Sequence, residues 1–374
     1  MTAARPTFVL AAGGTGGHLF PAEALAERLV AANGAVYLAT DRRTDAFAAA
    51  VPGVELLHIS AGRIGGGPLQ SAYGLAETAL GLVQARRLLR RLQPDAVVGF
   101  GGYPSVPTML AAIQLGCPTL LHEQNAVLGR ANRLLAHRVG RIATGFAATA
   151  ELRAADQARA VFTGNPVRPA IRAVADIPYR PPAPGGQVEL VILGGSQGAR
   201  IFAEIAPPAL AALPPDLRRA LRVSQQARPE DCARVAAELR DGGISAEVAS
   251  FFTDVPERLA RAQLAICRAG ASTVAELAVA GRPAILVPYP FATDNHQLAN
   301  ARAFAAFGAG WVVPQAELSV PLLSRALAVR LGDAAGLAQA AEAAHRFAAA
   351  DAAERLAAAV FDLVSRAGLG KRAA

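Results

Sequence analysis

The sequence predicts an α/β protein made of two doubly wound parallel sheets, one in each half of the chain, that face a central cleft. Short apolar segments alternate with longer amphipathic segments, and the alternation starts again in the second half. The 374 residues also exceed the usual size of a single core. Because neighbouring parallel strands need crossover connections, this rhythm is typical of sheets with helices on both faces.

Five apolar segments in each half are short enough to be buried strands, and helix-length segments separate them. The predicted strands of the first half are residues 7–11, 35–39, 54–59, 96–99 and 119–121. Those of the second half are residues 188–193, 221–225, 246–250, 264–267 and 284–287. Each half therefore predicts its own sheet.

A stretch rich in proline and glycine marks the break between the two series. It predicts a linker at residues 164–186, between an N-terminal domain of residues 1–163 and a C-terminal domain of residues 187–340. The alanine-rich residues 341–374 predict helices that cover the second sheet or pack back on the N-terminal domain.

The composition argues against a membrane-spanning or disulfide-stabilised protein. No apolar run reaches the roughly 18 to 20 residues that a spanning helix needs. The apolar residues 8–12 run into glycines, unlike a signal peptide. Cys117, Cys232 and Cys267 lie far apart, which predicts neither a disulfide framework nor a zinc site. We therefore expect a reducing, cytoplasmic environment.

The net charge of +8, almost all of it from arginine, suits nucleic acid, anionic lipid or a small anionic substrate. No nucleic-acid-reading module is recognisable, and a content of 5% aromatic residues offers few stacking platforms for bases. We therefore expect no nucleic-acid partner.

Glycine-rich turns follow three predicted strands, at residues 13–18, 99–105 and 194–199. Such a turn directs backbone N–H groups towards an anion at a helix N-terminus. A dinucleotide fingerprint would need glycine where Leu19 stands, so hydride transfer is the weaker alternative. Three such turns at strand ends predict a phosphate-binding cleft between the sheets.

A fourth turn, at residues 267–276, again joins a strand to a helix. Ser272 or Thr273 can cap this helix and donate to a phosphate, with Glu276 one turn further on. The alternative is a purely structural capping box formed by Ser272 and Glu276. Arg268 favours the phosphate interpretation, because a guanidinium matches phosphate geometry.

Seven motifs together resemble those of the family 28 glycosyltransferases, which have the GT-B fold of two Rossmann-like domains. In chain order they are GGTGGH at 13–18, GGYPS at 101–105, HEQN at 122–125, GNPVR at 164–168, GGSQGA at 194–199, CRAGASTVAE at 267–276 and DNHQLANA at 294–301. The resemblance spans nearly the whole chain. It implies an inverting enzyme that moves N-acetylglucosamine from UDP-N-acetylglucosamine (UDP-GlcNAc) to the C4 hydroxyl of N-acetylmuramic acid in lipid I, forming lipid II for peptidoglycan and cell wall synthesis.

The resemblance also implies roles for individual residues. In the second domain, Phe252 contributes backbone contacts to uracil and Glu276 holds the ribose. The other donor contacts implied there are Ser196, Gln197, Arg268, Ala271, Ser272, Thr273, Gln297 and Asn300. From the first domain, the implied donor contacts are Thr15, Gly16, Gly17, Asn125 and Arg168, and the implied acceptor contacts are Tyr103, Ser105 and Asn132.

Inversion requires a base for the attacking hydroxyl and stabilisation of the leaving diphosphate. His18 is the first candidate base, because it leaves a glycine turn and imidazole titrates near neutral pH. His122 and Glu123 are the next candidates, and a structural hydrogen-bonded role is the alternative for His18. The chain has no Asp-x-Asp sequence, the metal clamp of the other major transferase fold, so we expect neither a metal nor another cofactor.

A lipid-linked acceptor requires a peripheral protein at the cytoplasmic face of the plasma membrane. Within residues 69–92 we expect a core-facing stripe of Leu69, Tyr73, Ala76, Leu80 and Val83. The predicted contacts with anionic lipid are Leu75, Leu82, Arg86, Arg87 and Arg90. The alternative is a solvated arginine cluster, and cell-wall synthesis proteins are further expected partners.

Three other functions remain open from the residues alone. They are a GT-B transferase with another lipid acceptor such as diacylglycerol, a UDP-sugar epimerase, and a UDP-sugar sensor without enzymatic activity.

Overall fold

The computed structural model describes residues 5–13, 16–41, 51–62, 67–195 and 198–373. The chain forms two compact units. The first contains Met1–Arg168 and Asp351–Ala374, and the second contains Pro169–Ala350. The passage between the units thus falls within the predicted linker, and the chain returns to the first unit near its end.

The first unit is built on a parallel sheet of seven strands in the order β3-β2-β1-β4-β5-β6-β7. The strands are β1 (Thr7–Ala11), β2 (Ala35–Thr40), β3 (Val54–His58), β4 (Ala96–Gly99), β5 (Thr119–Glu123), β6 (Arg141–Thr144) and β7 (Ala160–Phe162). The order reverses between β1 and β4, so the carboxyl ends of these two strands flank the place where open α/β sheets bind ligands.

Helices cover both faces of this sheet. They are α1 (Gly16–Ala31), α2 (Pro68–Leu92), α3 (Ser105–Gln114), α4 (Arg130–Leu135) and α5 (Ala154–Gln157), together with a helix that follows the second unit. Along β1, Phe8 and Leu10 enter the core against α1, whereas Val9 and Ala11 enter a separate core with α2 and α3. This alternation produces the near-continuous apolar strands expected of a sheet buried on both faces.

The second unit contains a parallel sheet of six strands in the order β10-β9-β8-β11-β12-β13. The strands are β8 (Val188–Leu193), β9 (Leu221–Gln226), β10 (Ser245–Ala249), β11 (Leu264–Cys267), β12 (Ala284–Leu286) and β13 (Gly310–Val312). The order reverses between β8 and β11. The glycine turn after β8 and the turn after β11 therefore follow the two strands that flank the switch point of this sheet.

The helices of the second unit are α6 (Pro169–Arg172), α7 (Arg200–Ala211), α8 (Pro215–Ala220), α9 (Cys232–Asp241), α10 (Val255–Arg261), α11 (Ala271–Val279), α12 (His296–Ala306), α13 (Val320–Leu331) and α14 (Ala334–Phe347). Of the residues predicted to form the C-terminal helices, those up to Phe347 belong to the second unit.

The last helix, α15 (Ala352–Ala373), packs on the first unit. Leu356 and Val360 are fully buried in the core that also contains α1, and Phe361 meets Phe8 edge-on at 5.8 Å. Full burial of each such aliphatic side chain stabilises the fold by about 1.5–3 kcal/mol. Helix α15 is therefore part of the core of the first unit.

The structure confirms two doubly wound parallel sheets. All ten predicted strands are present, with ends shifted by two residues at most. The prediction missed β6, β7 and β13, which are only three or four residues long. Segments this short carry too few residues for alternation to be distinguished from a loop.

Candidate functional site

In the first unit, the turns after β1 and β4 lie in direct contact. Gly102 has φ of 72°, and a Cβ there would lie 2.9 Å from the Gly13 carbonyl oxygen and 3.3 Å from His18 Cδ2. Glycine is therefore required on both steric and backbone grounds. The close approach of the turns places His18 beside the carboxyl end of the sheet.

Helix α1 begins at Gly16, within the glycine-rich turn predicted at residues 13–18. Gly16, Gly17 and His18 thus form its first turn, where backbone N–H groups have no partner within the helix. No acidic side chain lies in this turn. The predicted donor contacts Gly16 and Gly17 therefore lie at a helix end that favours an anion. The predicted contact Thr15 lies outside the described residues.

The carboxyl end of β5 holds the HEQN motif, and its Glu123 is fully buried. Glu123 Oε1 accepts hydrogen bonds from the backbone N–H and the side-chain amide of Asn125, at 3.0 and 3.1 Å. Its Oε2 accepts from Gly129 N and Asn132 Nδ2, both at 2.8 Å. With four donors directed at it and no exposure, Glu123 organises the loop, so the structure argues against it as the base.

His122 is also fully buried. Its Nε2 lies 3.1 Å from the Gly164 carbonyl oxygen, and its Nδ1 lies 3.0 Å from Gln124 Nε2. Burial lowers the pKa of this imidazole to about 4, with a smaller lowering contribution from His18, so His122 is neutral at pH 7. Both ring nitrogens are engaged, and His122 as the base is a prediction that the structure contradicts.

His18 differs from these two because it is only partly buried. Its Nδ1 lies 3.1 Å from Gln124 Oε1. Its Nε2 makes no hydrogen bond to any residue that the structure describes. Of the three candidate bases, His18 alone keeps a ring nitrogen available, which meets the geometric requirement for a base.

The three predicted acceptor contacts differ in burial and in the hydrogen bonds that they make within the fold. Ser105 is fully buried and donates to the Gly102 carbonyl oxygen at 2.9 Å. Asn132 is 2% exposed, and its amide donates to the His122 carbonyl oxygen and to Glu123. Neither side chain can touch an acceptor in this conformation, which corrects both assignments. Tyr103 is partly exposed and donates to Asp41 at 3.0 Å.

The predicted donor contacts Asn125 and Arg168 are partly exposed in the first unit. The amide of Asn125 is directed by Glu123, as described above. The guanidinium of Arg168 lies over the ring of Phe20, 5.4 Å from its centroid. Phe20 belongs to α1, so Arg168 is positioned near the same helix as the glycine turn.

In the second unit, α11 begins directly after Gly270, which occupies the N-cap position. Ala271, Ser272 and Thr273 form the first turn, and no side chain caps the helix. The capping box expected as the structural alternative is therefore wrong. The hydroxyls of Ser272 and Thr273 lie at the positive end of the helix dipole, and the partly exposed Glu276 follows within the helix.

Arg268 uses its guanidinium within the fold. Its Nη1 donates to the carbonyl oxygens of Val287 and Pro288 at 3.1 and 3.3 Å, and its Nη2 donates to Gln315 Oε1 at 2.7 Å. Three of the five guanidinium N–H groups of Arg268 are thus engaged within the fold, and its phosphate contact stays a prediction. Arg268 thereby links the segment that follows β12 to the segment that follows β13.

Gln297 and Asn300 of α12 hold the turn after β11. Gln297 Oε1 accepts from Ala269 N at 3.2 Å and from Tyr289 N at 2.9 Å, so the amide nitrogen is directed away from both backbone groups. Asn300 is fully buried and donates to the Ala269 carbonyl oxygen at 3.0 Å. Gln297 retains donors for a sugar, whereas the assignment of Asn300 as a sugar contact is corrected to a supporting role.

Phe252 follows β10 and is 5% exposed. The guanidinium of Arg258 lies 4.0 Å from the centroid of its ring and is paired with Asp254 and Glu247. This stack holds the ring of Phe252 against Arg258, and its backbone contact with uracil stays a prediction. Ser196 and Gln197 lie outside the described residues.

Helix α2 packs on the rest of the first unit through Gly81, Ala85 and Leu89, which are buried. A Cβ on Gly81 would lie 1.8 Å from the Ser60 carbonyl oxygen, so the helix backbone is pressed against the strand ends. The bulky residues Leu69, Tyr73, Leu80 and Val83 therefore face outwards and are 87%, 68%, 53% and 46% exposed. The expectation that they form a core-facing stripe with Ala76, itself exposed, is wrong.

The predicted lipid contacts on α2 divide into two groups. Leu75, Arg87 and Arg90 are exposed, whereas Leu82 packs partly against the core and Arg86 is half-buried. Leu82 as a lipid contact stays a prediction, although only part of its side chain is exposed. Arg87 and Arg91 continue the outward stripe at helical spacing from Leu80.

In the parts of the chain that the structure describes, no helix is both long and apolar enough to cross a membrane. In the same parts, no three His, Cys, Asp or Glu side chains are grouped so that they could hold a metal ion.

Most of each unit is similar in sequence to known proteins. Residues 8–144 match the family description "Glycosyltransferase family 28 N-terminal domain", and residues 189–356 match "Glycosyltransferase family 28 C-terminal domain". A protein of Rhodospirillum centenum named UDP-N-acetylglucosamine--N-acetylmuramyl-(pentapeptide) pyrophosphoryl-undecaprenol N-acetylglucosamine transferase is 55% identical over 90% of this chain and 89% of its own length. A protein of the same name from Sinorhizobium medicae is 51% identical over 90% of each. The crystal structure of Acinetobacter baumannii MurG superposes with a TM-score of 0.78 at 28% identity, over 96% of this chain and 99% of that one.

Proposed function

The chain belongs to glycosyltransferase family 28, and we propose that it transfers N-acetylglucosamine from UDP-GlcNAc to the N-acetylmuramyl unit of lipid I, forming lipid II. One observation carries this proposal: a relative named for that transfer is 55% identical over nine tenths of both chains. Each unit contains chemical groups that such a transfer needs, which are His18 in the first unit and the N-terminus of α11 in the second.

The proposed chemistry is a single displacement at the anomeric carbon. The C4 hydroxyl of the acceptor sugar attacks this carbon and gives its proton to His18 Nε2. The bond from the carbon to the β-phosphate oxygen breaks, and UDP leaves with the bonding electron pair. Attack opposite the leaving group inverts the anomeric configuration, so an α-linked donor yields a β-linked product.

The second unit supplies the groups for the leaving diphosphate. The first-turn N–H groups of α11 and the hydroxyls of Ser272 and Thr273 lie at the positive end of the helix dipole. Glu276 binds the ribose, the backbone at Phe252 binds uracil, and Gln297 donates to the sugar. Backbone dipoles and hydroxyls then carry the charge, so we expect turnover without a metal ion. Loss of turnover on adding EDTA, with recovery on adding magnesium, would contradict this expectation.

The acceptor is proposed to reach the protein from a membrane surface. The outward stripe of α2 places Leu69, Tyr73, Leu80 and Val83 in line with Arg87. Apolar and basic residues side by side are typical of a helix that lies in the interface of an anionic bilayer. We place the protein at the cytoplasmic face of the plasma membrane on this basis.

A transfer assay tests the proposal against its alternatives. Purified protein is incubated with labelled UDP-GlcNAc and a lipid I analogue, and the products are separated. We expect UDP release that depends on the lipid I analogue, together with a disaccharide lipid. Transfer to diacylglycerol would indicate another acceptor, an epimerised sugar would indicate an epimerase, and donor binding without any turnover would indicate a sensor.

A further inference from the structure

Gln124 lies between the two histidines of the first unit, and its surroundings determine which nitrogen of His18 carries a proton. The side chain is 2% exposed, and its amide lies within hydrogen-bond distance of four groups, one of which is the His122 carbonyl oxygen at 3.3 Å from Nε2. Its Nε2 lies 3.0 Å from the Phe100 carbonyl oxygen and 3.0 Å from His122 Nδ1, and its Oε1 lies 3.1 Å from His18 Nδ1.

The protonation of His122 is fixed first. A carbonyl oxygen only accepts hydrogen bonds, so the nitrogen facing Gly164, which is Nε2, must carry a proton. Burial lowers the pKa of His122 to about 4, so at neutral pH the ring carries no second proton. Its Nδ1 is therefore a hydrogen-bond acceptor.

The orientation of the Gln124 amide follows from two independent acceptors. The Phe100 carbonyl oxygen and His122 Nδ1 lie at the same end of the side chain, and both require a donor there. The amide nitrogen satisfies both with its two protons. The amide oxygen must then occupy the other end, which faces His18.

We propose that Gln124 is a positioning residue that fixes the Nδ1–H tautomer of His18 and thereby leaves Nε2 with the lone pair that accepts the substrate proton. An amide oxygen cannot donate, so the facing Nδ1 must carry the proton. The hydrogen bond at one ring nitrogen sets the state of the other, as in metal and catalytic histidines generally. The series of hydrogen bonds that determines these protonation states begins at the Gly164 carbonyl oxygen, which can only accept.

This inference rests on the proposed function, because it assigns Nε2 as the base of that transfer. After the step, His18 carries protons on both nitrogens, and Gln124 Oε1 stabilises the cation as a neutral dipole. The device differs from a histidine paired with a carboxylate, where a full negative charge stabilises the imidazolium. Because the Gln124 amide is neutral, it places no negative charge beside His18.

The first test replaces Gln124 with methionine, which keeps the length of the side chain and removes the amide. Gln225→Met is the matched control, because Gln225 is a fully buried glutamine of the second unit whose amide donates to the Phe202 carbonyl oxygen. The full-length proteins are labelled with ¹⁵N-histidine. We expect neutral His18 in the wild type to show a protonated Nδ1 and an unprotonated Nε2, and Gln124→Met alone to show a mixture of both tautomers.

Turnover is measured on the same proteins. We expect kcat for Gln124→Met to fall at least about tenfold, the equivalent of one hydrogen bond, with KM for UDP-GlcNAc little changed. An unchanged tautomer and unchanged kcat in Gln124→Met would overturn the inference. Because the spectrum is read without substrate, it tests the positioning role even if the wild type fails to transfer sugar to lipid I, which would refute the proposed function instead.

The second test, Gln124→Glu, guards against a variant that merely disturbs folding. A carboxylate beside His18 stabilises the imidazolium, so the acidic limb of the pH–rate profile should move to higher pH. The neighbouring titratable group His122 is followed in the same spectra, because its own Nδ1 faces the substituted side chain. A profile that only decreases in amplitude, with no movement along the pH axis, would count against a contact between Gln124 and the base.

Discussion

Two histidines of the first unit have opposite surroundings, and this difference assigns their roles. His18 is partly buried with one ring nitrogen available, whereas His122 is fully buried with both nitrogens engaged. A base must reach the attacking hydroxyl, so exposure decides between the two imidazoles.

Replacing His18 with alanine should therefore lower kcat by about 10²–10⁴-fold, the usual contribution of a general base. KM for UDP-GlcNAc should change little, because the donor groups of the second unit remain. Steady-state rates with a lipid I analogue measure this effect. His137→Ala, at an exposed histidine, is the control and should keep wild-type turnover. A His18→Ala enzyme with near-normal kcat and only weakened acceptor binding would remove the base assignment.

His122 also predicts a pH dependence of stability. Its pKa of about 4 in the folded protein lies below the ordinary value of 6.5, so the unfolded chain binds more protons between these two values. The free energy of unfolding should therefore fall as the pH falls from 6.5 to 4, by about 3 kcal/mol from this group. Urea titrations at several pH values measure it.

Glu23 acts in the opposite direction over part of the same range. Burial, and then repulsion by Glu27, raise its pKa from 4.5 to about 7, so it destabilises the folded state as the pH rises through this interval. The comparison of wild type with His122→Phe separates the two groups, because only the His122 contribution disappears. An identical pH slope in both proteins would show that His122 titrates normally.

At the scale of elements, helix α2 shows how glycine can reverse the face that a helix buries. Gly81 brings the helix backbone against Ser60, and no side chain fits at that position. The apolar stripe is consequently exposed, and it ends beside Arg87.

Replacing Leu80 and Val83 together with serine should reduce binding to vesicles that contain anionic lipid, because apolar area is lost from the interface. Flotation of the full-length protein with such vesicles measures the bound fraction. Val329→Ser is the matched control, since Val329 is a 55% exposed apolar residue on α13 of the second unit. Equal retention of the double variant and the control would exclude this stripe as the lipid contact.

The whole molecule differs from a simple succession of domains, because its last helix returns to the first unit. Helix α15 buries Leu356 and Val360 against the core that contains β1 and α1. Ion pairs of Arg28 with Glu354 and of Arg141 with Asp362 lie beside this contact, but they are partly exposed and contribute little. Apolar burial therefore dominates this attachment.

Val360→Asp should destabilise the first unit by about 3 kcal/mol or more, because an unpaired carboxylate enters an apolar core. Hydrogen exchange should rise in β1 and β4, while β8 and β11 of the second unit keep their protection. Ala358→Asp places the same charge on the exposed face of the helix and should behave as wild type. Equal exchange in β1 of both variants would contradict the packing of α15.

The sequence alone determined the two sheets, ten of their strands and the turns that follow them, because periodicity and glycine placement are local properties of a chain. It also carried the family resemblance, since seven motifs occur in a specific order. Tertiary contacts decided the rest. Tertiary packing buried His122 and Glu123, engaged three donors of Arg268 and the amide of Asn300 within the fold, and left the bulky face of α2 exposed. A local pattern shows which side chains share a face, but the partners brought from distant segments decide which face is buried and which polar atoms remain available.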